Sequence, residues 1–139
     1  MTRNHSKEEQ ILNLLHGVSN KIRPKFEHCT GISSSRLAIL HELCEVDEIN
    51  QSMLQKRIQI DNAAITRHLK QLEADGMVTR RKNPGDNRET FVSLSEEGHQ
   101  RIEGYKIEKE LFIRQMLEGF SKEEMTLLAD YLERMQNNI

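Results

Sequence analysis

The sequence predicts a mainly α-helical protein with one small β-hairpin, and three observations carry that prediction. Proline and glycine are scarce, at 2 and 7 of 139 residues, whereas residues that favour helices are abundant. Apolar residues recur at steps of three and four in several segments, which is the spacing of one helix face. One further stretch has two runs typical of strands on either side of turn-forming residues.

The first predicted helix covers residues 6–29. Its apolar residues, Ile11, Leu14, Leu15, Val18, Ile22 and Phe26, form one stripe. Pro24 lies inside this pattern and is expected to kink the helix or end its regular part, and Gly31 follows as a stop. Serines 33–35 then open a second helix, because serine side chains cap free backbone N–H groups. Its inward positions are Leu37, Leu40, Leu43 and Cys44.

Two short helices joined by a tight turn follow a break at residues 46–50. The first helix covers residues 51–58, and the second covers residues 63–75 with Ile65, Leu69 and Leu72 on its apolar face. The turn at residues 60–62 carries an Asx cap, and Gly76 stands where a left-handed residue is wanted after the second helix. This order predicts a helix-turn-helix unit.

A β-hairpin is predicted directly after that unit. Residues 77–81 and 90–94 are typical of strands, and Asn83-Pro-Gly-Asp-Asn between them is typical of a turn. The loop is expected to carry Lys82, Asp86, Asn87 and Arg88. A helix-turn-helix followed by a hairpin is a winged helix. Ser95 then caps a long helix to about residue 118, and the capping box at residues 121–124 opens a last helix.

The formal net charge of −2 conceals an uneven distribution. Residues 51–91 hold 8 basic and 5 acidic residues, whereas residues 1–50 hold 6 and 7, and residues 92–139 hold 6 and 10. Positive charge is therefore concentrated on the helix-turn-helix and the wing, where DNA phosphates would lie. The alternative is a solvated surface face without a ligand.

Several functional classes are not expected. The longest run without Asp, Glu, Lys or Arg is eleven residues, 10–20, which is too short to span a membrane, and the polar start shows no secretory signal. Two cysteines do not form a disulfide framework, so a cytoplasmic protein with reduced thiols is expected. No paired nucleophile and base, glycine-rich phosphate loop or cluster of metal ligands appears. Neither a catalytic site nor a metal site is therefore predicted.

Three motifs in register resemble the MarR (multiple antibiotic resistance regulator) family. Residues 60–80, IDNAAITRHLKQLEADGMVTR, resemble its recognition helix and first wing strand. Asp86-Asn-Arg88 resembles the wing signature, and residues 92–98, VSLSEEG, resemble the exit into the long helix. The resemblance implies one domain over residues 1–139, with dimerisation helices at 1–31 and 96–139 and a winged helix-turn-helix at 32–95. It also implies a homodimer, which fits the lean apolar content of 36%.

The resemblance further implies a transcriptional regulator, most simply a dimeric repressor, that binds double-stranded DNA at a near-palindromic operator. Arg88 would enter the minor groove, and Arg81 is assigned to the same DNA surface. Asp86 would hold Arg80, Arg81 or Arg88 in place. The recognition-helix residues assigned to bases or phosphates are Asn62, Ala63, Ala64, Thr66, Arg67, His68 and Lys70. Ser33, Ser34 and Ser35 lie at a helix N-terminus and serve either a phosphate, assigned to Ser34 and Ser35, or plain capping. Arg67 has a structural salt bridge as its alternative.

Release from DNA by a small ligand is the remaining expectation that the resemblance supplies. A phenolic or other amphipathic effector would lie between the dimer helices and the winged helix, near Ile22, Phe26, Leu40 and His41, and no bound cofactor is expected. One alternative is release by oxidation of Cys29. Another is a winged helix that contacts only other proteins.

Overall fold

The computed structural model describes residues 6–139, which form six α-helices and one three-stranded antiparallel sheet. The elements are α1 (Lys7–Thr30), α2 (Ser34–Cys44), β1 (Ile49–Asn50), α3 (Gln51–Ile58), α4 (Asn62–Ala74), β2 (Val78–Asn83), β3 (Asp86–Leu94), α5 (Glu96–Met116) and α6 (Lys122–Asn137). The predicted fold class is confirmed. The first residues of the polar start, 1–5, lie outside the described residues.

Helix boundaries follow the polar caps that the sequence supplies. Ser6, Ser33 and Ser95 each accept a backbone N–H at the start of a helix, and Ser121 and Glu124 complete the expected capping box. Gly31 ends α1 in the left-handed conformation, with φ of 80°. Helix α1 continues past Pro24 to Thr30, so of the two effects expected of this proline the structure excludes an end to the helix.

The wing is larger than a simple hairpin. Strand β3 lies between β1 and β2, and the short strand β1 pairs with it through Ile49 opposite Val92. The predicted loop residues Lys82, Asp86, Asn87 and Arg88 lie on β2 and β3 instead, because strand pairing continues to Asn83 opposite Asp86. The connecting turn is therefore only Pro84 and Gly85, and Gly85 donates its N–H to the Asn83 side chain at 3.0 Å.

The winged helix has its own closed core, to which the long terminal helices add little. The fully enclosed large side chains are Ile39, Leu40, Leu43, Leu54, Ile65, Leu69, Leu72, Val92 and Ile102. Helix α1 contributes Phe26, whose ring meets that of Phe112 on α5 edge to face with centroids 5.5 Å apart. The C-terminal part of α1 is thereby packed against α5.

The terminal helices leave apolar side chains open to solvent. In the described chain α6 has no buried residue, although its sequence is amphipathic. Large exposed side chains include Leu12, Leu14 and Val18 of α1, Ile107 and Leu111 of α5, and Leu127, Tyr131 and Leu132 of α6. Such extended apolar surface is typical of a protein–protein interface. Among residues 6–139, no helix is both long and apolar enough to cross a membrane.

Candidate nucleic-acid interface

Helix α4 presents one polar face outward and fixes it by burying the other. Ile65, Leu69 and Leu72 are fully buried, and the Asp61 carboxylate caps the helix by accepting the Ala64 N–H at 2.7 Å. Of the predicted contact residues on α4, five are exposed: Asn62, Ala63, Thr66, Arg67 and Lys70. Gln71, Glu73 and Ala74 are also exposed, nearer the end of the helix.

Two cations on that face are available to an external anion. Within residues 6–139, the side chains of Arg67 and Lys70 form neither a hydrogen bond nor an ion pair, so the structural salt bridge considered for Arg67 does not occur there. Thr66 differs, because its hydroxyl donates to the Asn62 carbonyl at 2.8 Å. This bond leaves Thr66 its oxygen lone pairs and methyl group for a partner.

His68 is half-buried, like Ala64, and is tied to α2. The Arg36 Nε–H donates to His68 Nδ1 at 3.2 Å. Burial, followed by the nearby Arg36 and Arg67 cations, holds the pKa of His68 below its ordinary value of 6.5. The imidazole is therefore neutral at pH 7 and carries its proton on Nε2. It can offer a phosphate a hydrogen bond but no positive charge.

The wing carries a strongly exposed arginine at the start of β3. The side chain of Arg88 is 97% exposed, and its backbone N–H donates to Asp86 Oδ1 at 3.0 Å. The Arg88 Nε lies 3.9 Å from the same oxygen. Of the three arginines considered for Asp86, the structure selects Arg88. The carboxylate shapes the backbone beneath this arginine and does not itself need to face an anion.

The other two wing arginines are held by different acids. Arg80 pairs with Glu73 of α4 at 3.0 Å. Arg81 forms a two-pronged pair with Glu48, at 2.8 Å from Nε and 2.7 Å from Nη2, and its guanidinium lies 4.8 Å from the centre of the Phe91 ring. The hydrogen bond to Arg81 lowers the pKa of Glu48. Sequence reasoning missed this acid, which stands in the segment interpreted as a break.

The three serines at the start of α2 have different surroundings. Ser33 is the cap, since its hydroxyl accepts the Arg36 N–H at 3.2 Å. Ser34 is exposed and Ser35 is half-buried in the first turn that follows. Plain capping is thus performed by Ser33, and a phosphate contact by Ser34 or Ser35 stays a prediction.

Two cavities flank the Phe26–Phe112 contact, and the predicted ligand residues are divided between them. Cavity A, about 360 Å³, lies between α1, α2, α3 and α5 and includes the predicted Phe26 and His41. Its other lining residues are Ser34, Leu37, Ala38, Glu42, Arg57, Ile58, Lys106 and Lys109. Ile22 instead lines cavity B, about 370 Å³, between α1 and α5. Leu40 lines neither cavity, because it is fully enclosed in the core.

The two cysteines have different surroundings. Cys29 is exposed and lies at cavity B, whereas Cys44 is half-buried. Burial is the main reason that the pKa of the Cys44 thiol is raised. No group of three or more potential metal-ligating side chains occurs among residues 6–139.

Comparison with known proteins gives a consistent assignment. The model of the MarR family matches residues 32–90. Over 134 residues the chain is 57% identical to the uncharacterised HTH-type transcriptional regulator YdgJ of Bacillus subtilis, covering 96% of this chain and 82% of that protein. It is 30% identical over 130 residues to the HTH-type transcriptional repressor YetL of the same organism, covering 87% and 78%.

Solved structures share the same fold. An Escherichia coli MarR mutant complexed with operator DNA superposes with a TM-score of 0.78 at 22% identity, covering 94% of this chain and 99% of that one. The organohalide-sensing regulator RdhR in its 2,4-dichlorophenol-bound form gives a TM-score of 0.86 at 20% identity, covering 99% and 86%.

Proposed function

The chain belongs to the MarR family of transcriptional regulators, and from that premise we propose that it is a dimeric repressor of a near-palindromic operator. One observation carries the proposal: α4 and the wing both present unpaired or exposed cations, at Arg67, Lys70 and Arg88. A helix with one apolar face buried in the core and an exposed basic face on the other side suits the major groove. An exposed wing arginine suits a narrow minor groove.

Individual contacts follow from these positions. Asn62, Ala63 and Ala64 at the start of α4 would meet base edges, where small side chains let the backbone approach and contact a thymine methyl. Arg67 would contact a base or a phosphate, and Lys70 and the neutral His68 would contact phosphates. Ser34 or Ser35 would add a phosphate contact at the start of α2.

Dimerisation is supported by the open apolar faces of the terminal helices. Between the first half of α1 and helix α6 lies a groove of about 520 Å³ lined mostly by apolar side chains, among them Leu14, Val18 and Leu132. A second copy of the chain would cover this surface and the exposed residues of α5. Twofold symmetry then places two α4 helices about one helical turn apart on DNA, ~34–36 Å.

Cavity A supports an amphipathic, negatively charged effector such as a phenolic acid. Phe26, Leu37 and Ile58 give it an apolar wall. Lys109 supplies a positive charge with no ion-pair partner within residues 6–139, and Lys106 lies 3.8 Å from Glu103, while Glu42 is paired with Arg57 at 3.7 Å. The cavity joins the long helices to the winged helix, so a ligand there favours whichever relative placement it fits best. The organohalide sensor's dichlorophenol has the same amphipathic character.

The protein would act in the cytoplasm, where its DNA is, and would neither catalyse a reaction nor hold a permanent cofactor. Oxidation of the exposed Cys29 is the alternative trigger, supported by its exposure and its place at cavity B.

Selection of bound duplexes from a random DNA pool tests this function. We expect a near-palindrome to be enriched and to lose affinity when phenolic acids are added. Recovery of sequences no different from the starting pool would contradict operator binding. Equal recovery with and without each acid would contradict this effector class.

A further inference from the structure

The outer face of the wing sheet carries polar ties across all three strands. Alternate residues of a strand share one face. Ile49, Val92 and Leu94 are buried on the inner face, so their neighbours in sequence lie on the outer one. The register places Asn50 opposite Phe91, and Phe91 opposite Arg81.

Glu89, on the central strand, forms the first tie. One of its carboxylate oxygens accepts a hydrogen bond from the Asn50 amide, and the other accepts one from the Asn83 amide at 2.7 Å. Asn50 caps α3 by accepting the Ser52 N–H at 2.7 Å, and Asn83 accepts the Gly85 N–H in the wing turn. A single carboxylate thus joins the entrance of the helix-turn-helix to the base of the wing turn.

The second tie is the Glu48–Arg81 pair already described. It spans from the residue before β1 to β2, with the arginine lying over Phe91 of β3. Both ties run from the segment that leads into α3 to the two wing strands. The wing is therefore joined to the helix-turn-helix by side chains as well as by strand pairing.

We propose that Glu48 and Glu89 are positioning residues for DNA binding, which hold the wing and its Arg88 at a fixed place relative to α4. This rests on the proposed function. Acidic side chains near a DNA-binding surface oppose phosphates by charge alone. Their benefit would come from preorganisation, because a wing held in its bound place loses less freedom on binding. On the same reasoning Arg81 acts through Glu48 and is not a phosphate contact.

Charge-neutralising substitutions separate positioning from electrostatics. In Glu89→Gln one oxygen becomes an NH₂ group that faces a donating asparagine amide. Neither Asn50 nor Asn83 can turn its own oxygen to meet it without giving up a backbone N–H. Glu48→Gln likewise breaks the two-pronged pair. The matched control is Asp47→Asn, since Asp47 is exposed and makes no side-chain bond within residues 6–139.

The full-length dimer is titrated against the selected operator and against a scrambled duplex of equal length at fixed salt. We expect Glu89→Gln and Glu48→Gln each to weaken operator binding by about tenfold, the scale of one lost hydrogen bond to a charged group. Scrambled-DNA affinity should stay level or rise, and Asp47→Asn should not weaken either affinity. Amide hydrogen exchange in the DNA-free proteins should be faster at residues 86–91 in the two glutamate variants only.

Tighter or unchanged operator binding by both glutamate variants would overturn the positioning role. So would unchanged exchange at residues 86–91, or an equal loss in Asp47→Asn. Melting curves show that each variant is folded, and the two ties are tested independently should one variant fail. If the unmodified protein does not prefer the operator to scrambled DNA, the proposed function itself fails, while the exchange measurement still reports on the ties.

Discussion

Two glycines of α5 should respond in opposite directions to the same substitution. A methyl carbon added at Gly98 would lie 2.3 Å from the Met77 carbonyl oxygen and 2.7 Å from Leu94 Cδ1. One added at Gly104 would meet nothing within 4 Å. Gly98 lies in the first turn of α5, against the residue before β2 and the last residue of β3, so it tests how closely α5 packs on the wing strands.

The change in the free energy of unfolding is expected to have opposite signs at the two glycines. Alanine is about 1 kcal/mol better than glycine in a helix interior, so Gly104→Ala should stabilise the protein by up to that amount. At Gly98 the same gain is opposed by overpacking, about 1–3 kcal/mol. The carbonyl cannot easily move away, because it accepts the Ser95 N–H at 3.0 Å at the start of α5. Because the 2.3 Å contact is with a backbone atom, the cost should lie near the top of that range, and we expect a net loss of about 2 kcal/mol for Gly98→Ala.

Urea unfolding followed by circular dichroism measures both variants. Protein concentration must be fixed, since dimerisation contributes to apparent stability. Gly98→Ala as stable as the unmodified protein would refute the close contact between α5 and the Met77–Leu94 segment. Destabilisation by both variants would refute the conclusion that Gly104 has room for a methyl group.

Three further predictions concern single residues. Gln59 has a φ of 60° in the turn of the helix-turn-helix, so Gln59→Gly should raise the free energy of unfolding by about 1 kcal/mol, as measured with urea. A lower value would show that the side chain of Gln59 contributes more than its backbone strain costs. The pKa of His68 is lower in the folded protein than in the unfolded chain, so on acidification the unfolded chain takes up this proton at the higher pH. The free energy of unfolding should therefore fall as the pH drops below about 6.5. His68→Gln should lessen this dependence, and an identical pH profile would contradict it. A thiol reagent followed by mass spectrometry should label Cys29 before Cys44, because Cys44 is less exposed and its pKa is raised; the reverse order would contradict these surroundings.

Local signals in the sequence were sufficient for most of the fold. Each helix start is marked by a side chain that can accept a backbone N–H, such as Ser33, Asp61 and Ser95, and the structure uses all three. The buried face of α4 was readable because Ile65, Leu69 and Leu72 follow helical spacing. Exposed cations on its other face followed from the same geometry.

Features that depend on residues far apart in the sequence could not be predicted from it. Strand β1 has two residues, too few to show alternation, and it exists because Ile49 meets Val92 far along the chain. Glu48 and Arg81 are 33 positions apart, so nothing local indicates their pairing. Leu40 and His41 are neighbours in sequence, yet helix geometry turns one into the core and leaves the other at cavity A. A predicted ligand set therefore mixed core and cavity residues.

In the proposed complex, α4 and Arg88 of each subunit bind DNA together, in two copies related by twofold symmetry. Affinity for the selected operator, measured across a salt series for the unmodified protein and for Arg88→Ala, tests this most directly. We expect two chains per operator and weaker binding by the variant. The slope of the logarithm of the binding constant against the logarithm of salt concentration should be smaller by roughly one for each arginine removed. An Arg88→Ala dimer with the same affinity and the same slope would contradict it.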